Sequence, residues 1–150
     1  MSLISISPKE LASRAVTALL GLALLNSANA QDDLENSSWQ LVAIHSFNDS
    51  VFVPDKPENY LLRFRIENRL QVEADCNQAG ATWEFDGESL SITALVTTRK
   101  LCNAPSLFNR YIMTLQQTES ATRQTDTLIL RSSNGVDWME FEPYVFTPTF

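Results

Sequence analysis

The stretch from Tyr60 to Asp75 constrains the fold more than any other. Leu62, Phe64 and Ile66 alternate with Arg63 and Arg65, and after Glu67-Asn68 the residues Leu70, Val72 and Ala74 alternate with Gln71, Glu73 and Asp75. Side chains on a strand change face at every residue. Two such runs about a two-residue turn therefore make an antiparallel hairpin with one dry face and one wet face. Two further pairs repeat the pattern. Ala81–Phe85 and Ser89–Thr93 flank Asp86-Gly87, and Thr127–Ser132 and Val136–Phe141 flank Asn134-Gly135. These dipeptides accept the left-handed backbone of short hairpin turns. Ser38–Ile44 reads as a first strand and Glu119–Thr125 as a weaker one. Pro54 to Asn59 reads as a loop, because its two prolines remove backbone donors.

One segment keeps a different period. Pro105 and Ser106 can start a helix, by a preset φ and a side-chain acceptor for unpaired N–H groups. Over Ser106–Gln117 the residues Leu107, Phe108, Tyr111, Ile112 and Leu115 share one face, opposite Asn109, Arg110, Thr114 and Gln116. That stripe must be buried, and the sheet is the partner the chain offers. The expected class is α+β: an antiparallel curled sheet or half-barrel with one packed α-helix. At 150 residues there is room for one core.

Lys9 and Arg14 precede the apolar run Ala15–Leu25, and Ala28-Asn29-Ala30 follows it. The run is shorter than the roughly twenty residues a spanning helix needs. The order of the three parts reads as a signal peptide over 1–30, cleaved after Ala30, with Gln31 as the new N-terminus. The expected location is the bacterial periplasm or the outside of the cell. No cysteine stands at the cleavage point to carry a lipid. The aromatic C-terminal residues Tyr144, Phe146 and Phe150 alternate, but the strands are too short for a barrel in lipid, so no stable membrane insertion is expected. Removing Lys9, Arg14 and Glu10 takes the net charge from −7 to −8. Such a field repels phosphate backbones, and no nucleic-acid partner is expected.

The chain has two cysteines, Cys76 and Cys102. An even count in an oxidising compartment reads as one disulfide, for which the chain-entropy model gives about 3.5 kcal/mol. A redox pair or a metal site are the alternatives. CxxC is absent, and a metal would need His45, the single histidine, with a carboxylate. No metal and no cofactor are expected. A Ser–His–Asp relay would also have to use His45, beside Ser46 at a strand end. Glu73, Asp75, Glu84, Asp86 and Glu88 fall on polar faces or in turns, as solvated carboxylates do. Trp39, Trp83 and Trp138 read as packing residues, with an apolar cavity in a small barrel as the other option. Asn36-Ser37-Ser38 and Asn48-Asp49-Ser50 match the N-glycosylation pattern.

Asp75-Cys76-Asn77, Gly80 and Trp83, then Gly87–Ile92, then Thr97-Thr98-Arg99-Lys100-Leu101-Cys102 together resemble the META domain, the HslJ-like family of heat-shock-associated envelope proteins. The resemblance spans 34–142 and leaves 143–150 as a tail. Ala81 stands where the family has the second glycine of its turn. The resemblance implies a half-barrel with a Cys76–Cys102 bridge and no enzyme activity. It implies structural roles for Trp39, Asn77, Gly80, Thr98 and Arg99. Asn77 is expected to bond its own backbone in a turn, and Arg99 to bridge carboxylates or loop carbonyls beside the disulfide. The family is similar to exported proteins tied to envelope stress, and its fold to secretion pilotins that hold apolar ligands or partner helices. The expected function is a non-catalytic, monomeric envelope module that binds a protein or an apolar small molecule. The alternatives are an inhibitor or accessory folding or secretion factor, and, from another class, a hydrolase or thiol-redox enzyme using His45 or the cysteines.

Overall fold

The computed structural model describes residues 33–146, so the leader expected over 1–30 and tail residues 147–150 lie outside the described residues. The elements run β1 (Ser38–His45), β2 (Val51–Phe52), β3 (Tyr60–Phe64), β4 (Arg69–Ala74), β5 (Asn77–Phe85), β6 (Leu90–Thr97), α1 (Phe108–Gln116), β7 (Thr118–Gln124), β8 (Thr127–Ser132) and β9 (Trp138–Pro143). A short 3-10 turn, Pro57–Asn59, sits in the proline loop. Every strand pair is antiparallel, in the order β6-β5-β4-β3-β1-β9-β8-β7, with β2 added beside the end of β1.

The two ends of this order meet. Ser89 bridges Ser120, and the Ala121 N–H donates to the Glu88 carbonyl at 3.0 Å. The sheet is therefore a nearly closed barrel with one seam, between β6 and β7, and curls further than a half-barrel. Twist and local bulges supply the curvature. Register shifts fall at Leu41/Ala43 in β1, Gly80/Thr82 in β5 and Thr118/Ser120 in β7. Opposite Ala81, β6 carries two residues, Ala94 and Leu95, and Ala94 takes the left-handed φ of 53°.

A barrel of about eight strands is just wide enough for side chains to fill it. Here Trp39, Trp83, Phe64, Phe141, Leu62 and Leu128 do so, all buried. Phe64 meets Trp83 edge to face at 5.0 Å, and Tyr60 meets Tyr111 of α1 in the same manner at 5.7 Å. Tyr111, Ile112 and Leu115 face the core, as the helical period predicts. The Tyr111 hydroxyl is buried without a hydrogen-bond partner, and burial pushes its pKa far above the ordinary phenol value.

Several boundaries move. Ile66 is exposed rather than buried, because β3 stops at Phe64 and the turn follows, with Glu67 and Asn68 both left-handed at φ 57° and 58°. β5 starts at Asn77, since Asp75-Cys76 alone make the turn from β4, and β6 runs on to Thr97. α1 starts at Phe108, with the Ser106 hydroxyl oxygen accepting its N–H at 3.3 Å. β9 includes Pro143, and the Tyr144 N–H donates to the Ser38 carbonyl at 2.8 Å, so the ladder enters the expected tail. Val145 and Phe146 are exposed and do not cap the core.

Candidate functional site

The disulfide joins Cys76 in the β4–β5 turn to Cys102, with their Cα atoms 5.5 Å apart. Cys102 lies in an irregular strap, residues 98–107, that crosses from β6 to α1. The strap is exposed over most of its length, yet the side chain beneath it, Asn77, is 1 % exposed. Strand alternation explains that burial. Asn77 shares its face with Ala79, Ala81 and Trp83, so β5 points a lone amide inward at its first residue.

A buried amide needs partners. Asn77 finds them in the strap rather than in its own turn, which corrects the sequence expectation. Its Nδ2 donates to the Lys100 carbonyl at 3.0 Å, and its Oδ1 accepts the Lys100 N–H at 2.7 Å. The Thr98 hydroxyl donates to the same Oδ1 at 2.9 Å. Thr98 is fixed again by Gln78, whose N–H donates to the Thr98 hydroxyl oxygen at 3.0 Å and whose carbonyl accepts the Thr98 N–H at 2.9 Å. The Nδ2 of Asn77 also reaches the Cys102 Sγ at 3.3 Å. One amide thus reads both backbone polar groups of Lys100, which belong to successive peptide units, and links them to the disulfide.

The other motif residues play smaller parts. Arg99 is exposed, and no hydrogen bond or ion pair ties it to the described residues, so it does not bridge carboxylates or loop carbonyls. Gly80 lies within β5, not in a turn, and a Cβ there would meet the Leu70 carbonyl oxygen at an ordinary 3.9 Å. Trp39 is buried in β1 and donates its Nε1–H to the Ser37 hydroxyl at 2.7 Å. Neither Trp39 nor Gly80 touches the strap through these contacts.

Beside the disulfide lies a cleft of about 240 Å³, lined by Val53, Asp55, Tyr60, Asp75 and Pro105 among others. The Tyr60 hydroxyl oxygen accepts the Leu107 N–H at 2.8 Å and so anchors the far end of the strap. Burial raises the Tyr60 pKa, and the charges of Asp75 and Asp55 raise it further, while the Leu107 N–H opposes them. Sequence alternation places Tyr60 in a strand but carries no sign of this anchoring role.

His45 stands apart from the strap. Its ring stacks on Trp138 at 3.6 Å, and its Nε2 is 3.7 Å from the Glu140 carboxylate. The hydroxyl of neighbouring Ser46 accepts from the Arg110 guanidinium at 3.2 Å. The two adjacent residues are thus engaged with different partners. Among the described residues no group of three or more His, Cys, Asp or Glu is placed to hold a metal ion. No helix among them is long and apolar enough to cross a membrane. Asn36 and Asn48, of the two glycosylation patterns, are both exposed.

The model of the META domain matches residues 32–143. A solved structure, the NMR structure of a protein from Burkholderia xenovorans, is similar at 22 % identity and a TM-score of 0.64, covering 78 % of this chain and 88 % of its own. The crystal structure of a DUF4847 family protein from Bacteroides vulgatus is similar at 14 % identity and a TM-score of 0.55, covering 75 % of this chain and 95 % of its own. At these identities the likeness is one of fold. No curated protein matches the chain.

Proposed function

Because the chain belongs to the META domain family, we propose that it is an exported, non-catalytic binding module whose ligand is a protein met in the periplasm or outside the cell. The observation that carries this reading is the filled barrel: Trp39, Trp83, Phe64 and Phe141 occupy the interior that an apolar small molecule would need. Recognition then falls to the outer surface. The strap is the surface segment held by the disulfide and a buried amide together. The cleft beside Tyr60 is smaller than the roughly 300–1,000 Å³ of ordinary small-molecule sites. Family likeness extends the reading to envelope stress. The even pair of cysteines, joined at the surface, suits an oxidising compartment.

The test uses the full chain expressed in a bacterium and followed by cell fractionation, intact mass and in-cell cross-linking. The expected product begins at Gln31, is recovered outside the cytoplasm and cross-links to a protein. In parallel, a fluorescent hydrophobic probe such as anilinonaphthalene sulfonate should gain no stoichiometric signal from the native protein. Retention in the cytoplasm with the leader intact would overturn the export claim. Stoichiometric probe uptake with no protein adduct would replace the protein ligand by an apolar one.

A further inference from the structure

The segment Thr98–Asn103 joins features that rarely serve an ordinary loop. It is irregular, with Thr98, Arg99, Lys100, Leu101 and Asn103 all exposed and Leu101 entirely so. It presents two adjacent cations on a chain of net charge −7, and no carboxylate among the described residues pairs with either. Yet its backbone is fixed on both sides of Arg99. Thr98 is held by Asn77 and Gln78, Lys100 by both polar atoms of Asn77, and Cys102 by its disulfide. An exposed segment ordered in advance loses little entropy when a partner closes on it.

We infer that this strap is the presenting loop of an inhibitor of arginine-specific serine proteases, with Arg99–Lys100 as the bond offered to the enzyme. The inference rests on the protein-binding reading above and names its partner. Such a protease holds a carboxylate in its primary specificity pocket, and the unpaired Arg99 guanidinium matches it. The hydrogen bonding distinguishes Arg99 from Lys100. The Lys100 carbonyl is turned to Asn77 and cannot enter an oxyanion hole, whereas no group among the described residues bonds the Arg99 carbonyl. Leu101 then offers an apolar contact beyond the offered bond.

Fixing Lys100 also explains inhibition rather than digestion. Attack by the serine hydroxyl on the Arg99 carbonyl breaks the Arg99–Lys100 amide, forms an ester and passes the serine proton to the Lys100 amine. In an ordinary substrate that amine diffuses away and water hydrolyses the ester. Here Asn77 and the Cys76–Cys102 bond keep it beside the ester. It attacks the ester, the peptide bond re-forms, and the serine recovers its proton. No water is consumed, and the enzyme stays occupied.

The experiment takes the exported, oxidised protein with trypsin as the probe, following hydrolysis of a chromogenic arginyl amide and mapping any cut by mass. The wild type should inhibit at substoichiometric turnover. Arg99→Ala should weaken inhibition by at least about 30-fold, the loss of a central anchor. Its circular dichroism should be unchanged, because Arg99 is exposed and has no hydrogen bond or ion pair among the described residues. Arg99→Lys should retain inhibition. Asn77→Ala should turn the protein into a substrate cut to completion after Arg99. Complete digestion of the wild type without inhibition, or a cut after Lys100 in its place, would overturn the assignment. So would equal inhibition by Arg99→Ala. If in-cell cross-linking survives Arg99→Ala unchanged, this inference fails while the binding module stands. If the wild type cross-links nothing and leaves trypsin uninhibited, both fail.

Discussion

The barrel interior and the strap obey different physics. The interior is held by apolar area: Trp83, fully buried, packs on Phe64 and spends its one polar atom on the Arg65 carbonyl at 3.3 Å. Such burial is non-directional and sums over many neighbours. The strap has little apolar area to bury. Between Lys100 and Leu107 its tie to the rest of the molecule is the disulfide, flanked by the Asn77 clamp and the Tyr60 hydroxyl. A few directional bonds replace a core, so an exposed loop can be ordered without being hidden.

That contrast can be broken most severely from the barrel side. Trp83→Ala should cost about 3–5 kcal/mol, seen as a shift of the whole denaturation curve. Replacing Cys76 and Cys102 together by Ser should cost about 2–4 kcal/mol. Hydrogen exchange should then show strap amides losing protection before barrel amides do. Asn77→Ala should cost about 1–3 kcal/mol, at the lower end because the freed Lys100 groups can turn to water. A loss as large as that of Trp83→Ala would place the strap inside the cooperative core and erase the distinction.

Two milder changes sharpen it. Ala94→Gly relieves a left-handed alanine costing about 1–2 kcal/mol but adds about 0.5–1 kcal/mol of chain entropy, so thermal melting should show a gain of about 0.5 kcal/mol. The Asp86 carboxylate accepts the Glu88 and Ser89 N–H groups at 3.0 and 2.7 Å, and these bonds hold its pKa below the ordinary 3.8. A lowered folded pKa means stability that is complete above the unfolded value and fades as pH falls through the folded one. Below about pH 4 the β5–β6 hairpin should therefore weaken, and carbon-13 titration of Asp86 should show a midpoint under 3.8. A midpoint at or above 3.8 would remove the turn's carboxylate from the account.

Much of the barrel was legible because period-two alternation names a face residue by residue. Leu62, Phe64, Leu70 and Val72 are buried where that rule puts them, and Tyr111, Ile112 and Leu115 where the helical period does. Closure was not legible. The pairing of Ser89 with Ser120 joins segments separated by the strap and α1, and nothing local in either announces it. The motif residues show the same limit. Their sequence marks Cys76, Asn77, Thr98 and Cys102 as a set, and the structure brings all four together. What Asn77 bonds depends on which segment lies over it, and that is a tertiary fact. The parity of β5 did hold a sign of it, an amide in the inward register of Trp83.

Trp39 pairs with Pro143, and the Phe64 N–H donates to the Ser37 carbonyl, so the described chain enters and leaves at the Phe64 end of β3. The strap is anchored at Tyr60, the other end of that strand, about 13 Å away at the usual rise per residue. A label, a surface linker or a fused domain attached before Ser37 or after Tyr144 therefore departs from the opposite rim. The molecule can be moored on a chip or a bead by that rim, with the exposed Arg99 and Leu101 on the strap at the other.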